Sequence, residues 1–495
     1  MNIVTLLEMA ADAFPDRVAI SCEGRSMSYG ALLAAARRAA AEVRARDVRH
    51  LGHLAVASPA AAVALFGAAI AGVPYVPLNY RLTGEELAAL IGRIAPCLLI
   101  ADADQVQGTP AIRPAAFLDL ALDETRPALG EASDQPVAVQ LFTSGTTGQP
   151  KAAILRHENL FSYIVGSVEF ASATADEATL VSVPPYHIAG VSAMLSSIYA
   201  GRRIVLLPHF DVAEWLRLCR VEHVSNAFVV PTMLGRIIDH LNVEAVGADV
   251  PALRSIAYGG GRMPLAVIER AMALFPDADF TNAYGLTETS ATVCLLDPDD
   301  HRDAASSEDP IVRRRLTSVG RSLPTVEIEV RDEEGLRVGA DVVGRVLVRG
   351  PQVAGEYGGL GSLLDGEGWF DTRDRGFLDG DGYLFLDGRA DDVIVRGGEN
   401  ISPGEVEAVL LAHPAVSDAA VIGIPDENWG EAVAAAIVLR HGGIETAALQ
   451  SWVRDRLRSS RVPQEIRFVE TLPYNEMGKL LRRIVRADFA ARAAA

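Results

Sequence analysis

Short apolar runs alternate with longer periodic segments along most of this chain. The short runs have the length of buried strands, and the longer segments repeat apolar residues with the period of an amphipathic helix. The predicted strands are 180–183, 203–207, 226–230, 255–258 and 279–282. The predicted helices between them include 212–221 and 263–274. Because strands that alternate with helices build parallel sheets covered by helices, the pattern predicts an α/β core.

The pattern changes twice toward the C-terminus. Segments 326–330 and 343–348 alternate apolar and polar residues around an acidic turn, which predicts a small β-barrel or meander. After Arg389, Ser402-Pro403-Gly404-Glu405 has the residues of a helix start, with a hydroxyl at the N-cap, proline next and an acid at the third position. Strands at 419–424, 432–439 and 466–469 and a helix at 446–457 complete a small α+β unit.

These patterns predict an α/β protein in two domains. The large N-terminal domain, 1–388, would contain αβ-layered subdomains and the small β-barrel, and the C-terminal domain would span 389–495. The apolar stretch 54–77 is interrupted by Ser58-Pro59 and several glycines, so it predicts a strand at 54–57 and a buried helix at 60–71. No membrane span is therefore expected.

Composition narrows the class of protein. At 495 residues the chain exceeds one ordinary core, and its net charge of -19 argues against nucleic acid as a partner. The four cysteines are far apart and have no metal-ligand or redox-pair spacing. With no basic n-region at the start of the sequence, these features predict a cytoplasmic enzyme.

The segment from Thr143 to Lys151 carries the clearest chemistry. It follows an apolar run, 137–142, and combines hydroxyl residues, two glycines and one lysine. Backbone N–H groups, hydroxyls and an ammonium group suit phosphate oxygens. The spacing G-x-x-x-x-G-K-[ST] of the common phosphate loop is absent.

Other unusual residues follow predicted strands. They are Pro184-Pro185-Tyr186-His187, Gly259-Gly260-Gly261 and Ala283-Tyr284-Gly285. Ligands of such folds bind beyond the carboxyl ends of the strands, so these segments are expected to converge in one cleft.

Six motifs, in order, resemble those of the adenylate-forming superfamily, which includes acyl- and aryl-CoA synthetases. They are TSGTTGQPK at 143–151, YGLTE at 284–288, WFDTRD at 369–374, GRADD at 388–392, RGGENISPGEVE at 396–407 and PYNEMGK at 473–479. The resemblance extends from about Leu6 to Arg483. It implies that a carboxylic acid reacts with ATP to give an acyl-adenylate and pyrophosphate, and that a thiol then displaces AMP.

The resemblance implies roles for residues of the large domain. The nucleotide would contact Thr143, Ser144, Gly145, Thr146, Thr147, Gly148, Lys151, Gly259, Gly260, Gly261, Asn282, Ala283, Tyr284 and Gly285. Tyr284 would stack on adenine, Thr287 would touch the α-phosphate and Glu288 would hold Mg²⁺. His187 would border the acyl pocket and position the carboxylate or gate the thiol tunnel. The small residues near it predict an apolar, aromatic or medium-to-long aliphatic acid.

The remaining implied roles concern the ribose, the C-terminal domain and coenzyme A. Asp374 would bind the ribose hydroxyls and Arg389 the ribose or phosphate. Lys479 would bridge the substrate carboxylate and the α-phosphate, because its ammonium group is a compact charge on a flexible stem.

Asp391 would be the hinge of a mobile C-terminal domain. Rotation there would remove Lys479 and bring in a pantetheine tunnel lined by Gly397, Gly398 and Glu399. Arg81 and Trp429 match positions used for the CoA nucleotide, although a surface arginine and a packing tryptophan explain them equally well.

The chain departs from the usual pattern at Arg373, where the superfamily has glycine. We expect an ordinary backbone there, with the side chain directed outward. Ser459-Ser460-Arg461 also replaces the usual aromatic–lysine pattern, which puts the CoA phosphate contacts in doubt.

Four functions remain open on the sequence. The first is a CoA ligase for an apolar acid, and the second is a free-standing enzyme that loads a carrier-protein phosphopantetheine. An α-amino acid substrate is disfavoured, since segment 186–194 has no aspartate. The third is a luciferase-type oxygenase. The fourth is a nucleotide sensor, against which Glu288, Asp374 and Lys479 together argue. A homodimer is compatible with all four.

Overall fold

The computed structural model describes residues 1–143, 150–244, 248–426, 428–440, 442–475 and 478–493. The chain divides into two compact units. The first comprises Met1–Glu327 and Val348–Phe370, and the second comprises Ile328–Leu347 and Asp371–Ala495.

The first unit contains a nine-stranded sheet whose middle is parallel. In spatial order its strands are Arg321–Ser322, Ala291–Leu296, Asp279–Leu286, Ser255–Gly259, Asn226–Val229, Ala178–Val181, Arg203–Leu206, Val18–Cys22 and Arg25–Ser28. The six strands from Asp279–Leu286 to Val18–Cys22 pair in parallel. The α/β core predicted from the hydrophobic pattern is therefore confirmed.

A second nine-stranded sheet lies in the same unit. Its strands in order are Gly361–Ser362, Glu356–Tyr357, Lys151–Arg156, Val137–Thr143, Tyr75–Pro77, His50–Leu54, Cys97–Ala101, Thr109–Ile112 and Gln105–Val106. The predicted strand at 54–57 is wrong, because the strand ends at Leu54 and Ser58 precedes helix Pro59–Ala71. Twelve of the thirteen residues of that helix are buried small or apolar side chains, which explains its hydropathy without a membrane.

The α-helices of the first unit connect and cover these sheets. They are Val4–Ala13, Tyr29–Ala45, Pro59–Ala71, Gly84–Ile94, Pro114–Leu122, His157–Ser167, Ile188–Tyr199, Val212–Val221, Pro231–Glu244, Leu265–Leu274, Pro298–Ser306 and Pro310–Arg314. Helix Val212–Val221 has the predicted bounds. The Asp211 carboxylate accepts a hydrogen bond from the Glu214 N–H at 3.0 Å and so caps its first turn. Across the described residues, no helix is long and apolar enough to cross a membrane.

Two smaller sheets lie mostly or wholly in the second unit. The predicted β-rich segment forms four strands in the order Glu327–Arg331, Gly344–Arg349, Phe370–Leu378 and Leu384–Arg389. The C-terminal sheet has the order Glu399–Ile401, Ile394–Arg396, Gly430–Leu439 and Val416–Asp426, with Glu465–Phe468 parallel to Gly430–Leu439. Helices Pro403–Leu411, Thr446–Arg454 and Arg482–Ala493 complete this unit.

The start of helix Pro403–Leu411 differs from the expected capping arrangement. Ser402 does precede the helix, but its hydroxyl donates to the Asp387 carbonyl instead of capping the first turn. Glu405 pairs with Arg461 at 2.6 Å. Both side chains therefore tie the helix start to other segments of the second unit.

Candidate active site

The segment predicted to bind phosphate emerges from a β-hairpin. Strands Val137–Thr143 and Lys151–Arg156 are antiparallel, and Thr143 lies directly opposite Lys151. The predicted contacts Ser144, Gly145, Thr146, Thr147 and Gly148 lie outside the described residues. The hairpin fixes the two ends of the segment next to each other, which is what a loop that surrounds a phosphate chain requires.

A tight turn presents Thr287 and Glu288. The strand Asp279–Leu286 runs through Tyr284 and leads into the turn Thr287–Thr289. The Thr289 hydroxyl accepts the Leu286 N–H at 2.9 Å and donates to the Ala291 carbonyl at 2.7 Å. A Cβ at Gly285 would lie 1.7 Å from the Ala291 carbonyl oxygen, so only glycine fits there.

The Glu288 carboxylate is held by a residue that the motifs did not identify. The Tyr357 hydroxyl donates a hydrogen bond to Glu288 Oε1. The Lys151 ammonium nitrogen lies 5.7 Å from the centre of the Tyr357 ring, within the range of a cation–π contact. Strands Val137–Thr143 and Lys151–Arg156 form what we call the phosphate-loop hairpin. Tyr357 thus links this hairpin to the predicted metal ligand. No spacing in the glycine-rich segment 355–361 distinguishes this tyrosine from an ordinary loop residue.

The donor groups fit a magnesium ion that is shared with a nucleotide. Among the described residues, no group of three or more His, Cys, Asp or Glu side chains could hold a metal alone. Mg²⁺ commonly takes one or two carboxylates and completes its coordination with phosphate oxygens and water. One carboxylate linked through Tyr357 to Lys151 suits that chemistry, and Glu288 would be the protein ligand.

The glycine turn and the Tyr284 segment lie side by side. Gly259 pairs with Ala283 across parallel strands, and a Cβ at Gly259 would lie 2.2 Å from the Ala283 carbonyl oxygen. Gly260 has φ of +83°, a value that favours glycine, and both Gly260 and Gly261 are exposed. Asn282 donates to the Ser318 carbonyl at 3.0 Å, so its amide is engaged within the protein.

Tyr284 lies in the strand that pairs with Ala291–Leu296, and its side chain is 9% exposed. If Tyr284 stacks on adenine, it would do so with a ring that is largely buried.

His187 belongs to an aromatic cluster. Its ring lies 4.7 Å from that of Tyr186, which lies 5.3 Å from the ring of Tyr80. Burial lowers the pKa of His187 to about 4, so the imidazole is neutral at physiological pH. A neutral ring can position a carboxylate through a hydrogen bond but brings no positive charge to it. Arg81, which follows Tyr80, is exposed, as expected for a residue that contacts a bound nucleotide or solvent.

In the second unit, Asp374 and Arg389 form one pair. They lie opposite each other on antiparallel strands, and Arg389 Nε is 2.9 Å from Asp374 Oδ1. Arg389 also donates to the Thr372 carbonyl at 3.1 Å. The Asp374 side chain is largely buried, and the Thr372 hydroxyl accepts its N–H at 3.1 Å. This carboxylate is fixed in place, as a residue that binds ribose hydroxyls requires.

The expectation of an ordinary backbone at Arg373 is wrong. Arg373 has φ of +60°, in the left-handed region where glycine is favoured. Its side chain is directed outward, as expected, and its guanidinium lies 3.8 Å from the carboxylate of the predicted hinge residue, Asp391. Both side chains are half exposed, so the ion pair itself is weak.

Replacing Arg373 isolates the cost of this conformation. Arg373→Gly and Arg373→Ala both remove the ion pair with Asp391, but only glycine adopts positive φ without a steric penalty. We expect the glycine variant to be more stable than the alanine variant by about 1 kcal/mol. Urea unfolding of the two variants measures the difference. An alanine variant as stable as the glycine variant would contradict the strained backbone.

The backbone of Lys479 is held by Asn475. The Asn475 side-chain oxygen accepts the Lys479 N–H at 2.8 Å, and the Asn475 N–H donates to the Lys479 carbonyl at 3.0 Å. The Tyr474 hydroxyl donates to Asp418 at 3.0 Å and anchors the loop to strand Val416–Asp426. Lys479 is exposed, and the two hydrogen bonds with Asn475 hold its backbone.

Gly397, one of the predicted tunnel residues, packs against an exposed indole. The Gly397 N–H donates to the Trp429 carbonyl at 2.8 Å, and a Cβ at Gly397 would lie 2.7 Å from the Trp429 ring. Trp429 is 54% exposed, which is unusual for tryptophan and suits a binding role better than a packing role. Gly398 has φ of +82°, and Glu399 pairs with Arg461, the residue that replaces the usual lysine.

The use of lysine and arginine along the chain also points to Lys151 and Lys479. Of the 45 lysine and arginine residues, only two are lysines, and these are Lys151 and Lys479. Every other basic position of the chain uses arginine. A primary ammonium is therefore confined to the two motif positions, as expected where arginine cannot replace it.

Comparison with known proteins identifies the family of the chain. A family model for AMP-binding enzymes matches residues 7–358, and a model for the AMP-binding enzyme C-terminal domain matches residues 405–479. The chain belongs to the AMP-binding enzyme family. It is therefore a member of the adenylate-forming superfamily.

Curated relatives of the chain are ligases of carboxylic acids. It is 32% identical to a fatty acid–[acyl-carrier-protein] ligase of Streptomyces coeruleorubidus, over 99% of this chain and 96% of that protein. It is 30% identical to an indoleacetate–CoA ligase of Aromatoleum aromaticum, with 98% of both chains covered. A feruloyl-CoA synthase of Amycolatopsis is 32% identical over 96% of both chains.

Solved structures share the fold over nearly the whole chain. ATP-bound MatB from Rhodopseudomonas palustris has a TM-score of 0.87 at 27% identity and covers 99% of both chains. The o-succinylbenzoate CoA synthetase of Bacillus subtilis, in complex with its acyl-adenylate intermediate, has a TM-score of 0.83 at 28% identity and covers 97% of both chains.

Proposed function

We propose that this protein is an ATP-dependent acid–thiol ligase. It would adenylate an apolar carboxylic acid, either aromatic or medium-to-long-chain fatty, and transfer the acyl group to coenzyme A with release of AMP and pyrophosphate. The observation that carries the proposal is the contact of Tyr357 with both Lys151 and Glu288, which joins the phosphate-loop hairpin to the carboxylate that we propose as the metal ligand. A nucleotide sensor would not need these groups together with Asp374 and Lys479.

The first step needs charge neutralisation, because two anions must meet. A carboxylate oxygen attacks the α-phosphorus of ATP, and the bond to pyrophosphate breaks. Mg²⁺ bound with ATP would neutralise the phosphates. Glu288 would hold the metal, Lys151 would face the phosphate chain, and Asp374 would bind the ribose. Lys479 would place its ammonium group between the carboxylate and the α-phosphate.

The second step needs a thiol, and the residues that we propose to bind the thiol differ from those of the first step. The thiol loses its proton as sulfur attacks the acyl carbonyl, and AMP leaves. Gly397 and Gly398 would allow the pantetheine arm to pass close to the backbone, and Trp429 and Arg81 would contact the nucleotide end of CoA. Rotation about Asp391 would exchange this loop for that of Lys479. The boundary between the two moving domains would then lie near residues 388–389.

An aromatic cluster and the names of two relatives support the choice of acid. Tyr80, Tyr186 and neutral His187 form an aromatic cluster, and the Arg81 guanidinium lies 6.0 Å from the centre of the Tyr80 ring. Indoleacetate and ferulate, which two of the relatives are named for, are aromatic acids. An arylalkanoic or cinnamic-type acid is therefore the first choice for testing. A cytoplasmic location remains a prediction, and so does a homodimer.

A second candidate is supported by one relative. The ligase of Streptomyces coeruleorubidus is named for an acyl-carrier-protein acceptor and matches this chain over almost its full length. In that reaction the adenylation site is unchanged and the phosphopantetheine arm belongs to a protein.

A pyrophosphate-release screen distinguishes these functions. Each acid of an aromatic and aliphatic panel is incubated with MgATP alone, with CoA, with pantetheine and with a phosphopantetheinylated carrier protein. The proposal expects pyrophosphate with at least one acid and a thioester with CoA. Thioester on the carrier protein alone would support the second candidate, and absence of pyrophosphate with every acid would contradict both.

A further inference from the structure

The segment around Tyr357 is built around Glu288. The Gly355 N–H donates to the backbone carbonyl of Glu288 at 2.9 Å, and two residues later the Tyr357 hydroxyl donates to its carboxylate. One short segment therefore contacts both the backbone and the side chain of the predicted metal ligand. Gly355 has φ of +50°, and a Cβ there would lie 2.6 Å from Leu364, so the approach depends on glycine.

The other side of this segment is fixed to the phosphate-loop hairpin. Tyr357 pairs with Ala153 of strand Lys151–Arg156, and the Gly358 N–H donates to the Ala152 carbonyl at 2.8 Å. Glu356 forms a two-pronged pair with Arg156, with distances of 2.8 and 3.0 Å. The backbone at Tyr357 and its neighbours is thus held by contacts that do not involve Glu288.

We propose that Tyr357 is a positioning residue for magnesium: its hydroxyl holds the Glu288 side chain so that Mg²⁺ and the nucleotide phosphates bind as a unit beside Lys151. This inference rests on the proposed function, because it takes Glu288 as the metal ligand. The hydrogen bond uses one of the about four acceptor sites of the carboxylate, so the others would remain for the metal. A residue that orients a metal ligand commonly changes metal affinity by about 10-fold to 100-fold when it is removed.

Lys151 strengthens this arrangement. Its ammonium group lies over the face of the Tyr357 ring, and a cation there withdraws electron density from the hydroxyl. The hydroxyl is then a better hydrogen-bond donor to the carboxylate. The backbone of Lys151 pairs with Thr143, where the segment predicted to bind phosphate begins. Lysine, tyrosine and glutamate therefore form one chain of contacts from the loop to the metal ligand.

The test is ATP binding measured by calorimetry without any acid substrate, so that no turnover occurs. ATP is titrated into wild type and Tyr357→Phe, first with a chelator and then over a series of magnesium concentrations. We expect ATP affinity without divalent metal to stay within about twofold. The magnesium concentration that gives half of the affinity gain should rise about 10-fold in the variant.

Two further variants separate positioning from general damage. Tyr29→Phe removes a buried hydroxyl that donates to the Arg202 carbonyl at 2.9 Å, and it should leave the magnesium dependence unchanged. Glu288→Gln should abolish most of the magnesium gain, and adding Tyr357→Phe to it should change nothing more, because the two residues act through one metal.

Three results would overturn the inference. The first is a Tyr357→Phe variant with wild-type magnesium dependence. The second is equal weakening of ATP binding with and without magnesium, which would indicate a structural role only. The third is a wild-type protein without any magnesium gain. The proposed function fails on a different result, namely normal MgATP binding with no pyrophosphate release from any acid.

Discussion

Lys479→Ala should lower the rate of acyl-adenylate formation by a factor on the order of 10² or more, because it removes the cation that stabilises two meeting anions. Thioester formation from acyl-adenylate prepared in advance should change far less. In our account Lys479 acts only in the first half-reaction. Pyrophosphate release and thioester formation, measured separately by rapid quench, test this difference. Equal loss in both half-reactions would contradict the assignment.

The composition of the chain allows a sharper control. Lys479→Arg keeps the charge, and arginine is the basic residue used at all positions other than 151 and 479. We expect this variant to remain impaired in adenylation, because a planar guanidinium cannot replace a compact ammonium group between two anions. Wild-type activity of Lys479→Arg would show that charge alone is sufficient.

Asp391→Pro should have the opposite effect to Lys479→Ala: adenylation should be largely kept and thioester formation lost. Asp391 lies in the turn Ala390–Asp392, and the rotation proposed here requires its backbone dihedral angles to change. Proline fixes φ near −65° and prevents that change. The measurement is the rate of each half-reaction at saturating acid and ATP. Wild-type thioester turnover would show that Asp391 is not the pivot.

The matched control for this variant is Asp391→Ala. It removes the carboxylate and its 3.8 Å contact with Arg373, but it leaves the backbone free to rotate. Both half-reactions should stay within a few-fold of wild type. If the alanine variant loses thioester formation as the proline variant does, the carboxylate matters more than the backbone.

Much of the fold could be predicted from local patterns. The helix Val212–Val221 has the predicted bounds because its apolar period and its Asp211 cap agree. The strand predicted at 279–282 instead continues to Leu286, because antiparallel pairing with Ala291–Leu296 extends it through Tyr284 and Gly285. That pairing is a contact between two segments. The hydrophobic period of one segment does not indicate which other segment it pairs with.

In the candidate site, too, local patterns predicted some residues and missed the contacts that depend on folding. The motifs predicted Glu288, but its partner Tyr357 is 69 positions away, and only folding brings the two together. The positive φ of Arg373 could not be derived from a residue type that rarely adopts it. Ser402 could cap its helix by residue type, yet the Asp387 carbonyl takes its hydroxyl. In each case a long-range or strained contact replaced the local preference.

The most direct test of the central claim follows an oxygen atom. An acid that supports pyrophosphate release is labelled with heavy oxygen in its carboxylate and incubated with the enzyme, MgATP and CoA. If the carboxylate attacks the α-phosphorus, mass spectrometry should find the label in AMP and none in pyrophosphate. Formation of ADP with the label in inorganic phosphate, or AMP without any label, would contradict an acyl-adenylate intermediate and with it the function proposed here.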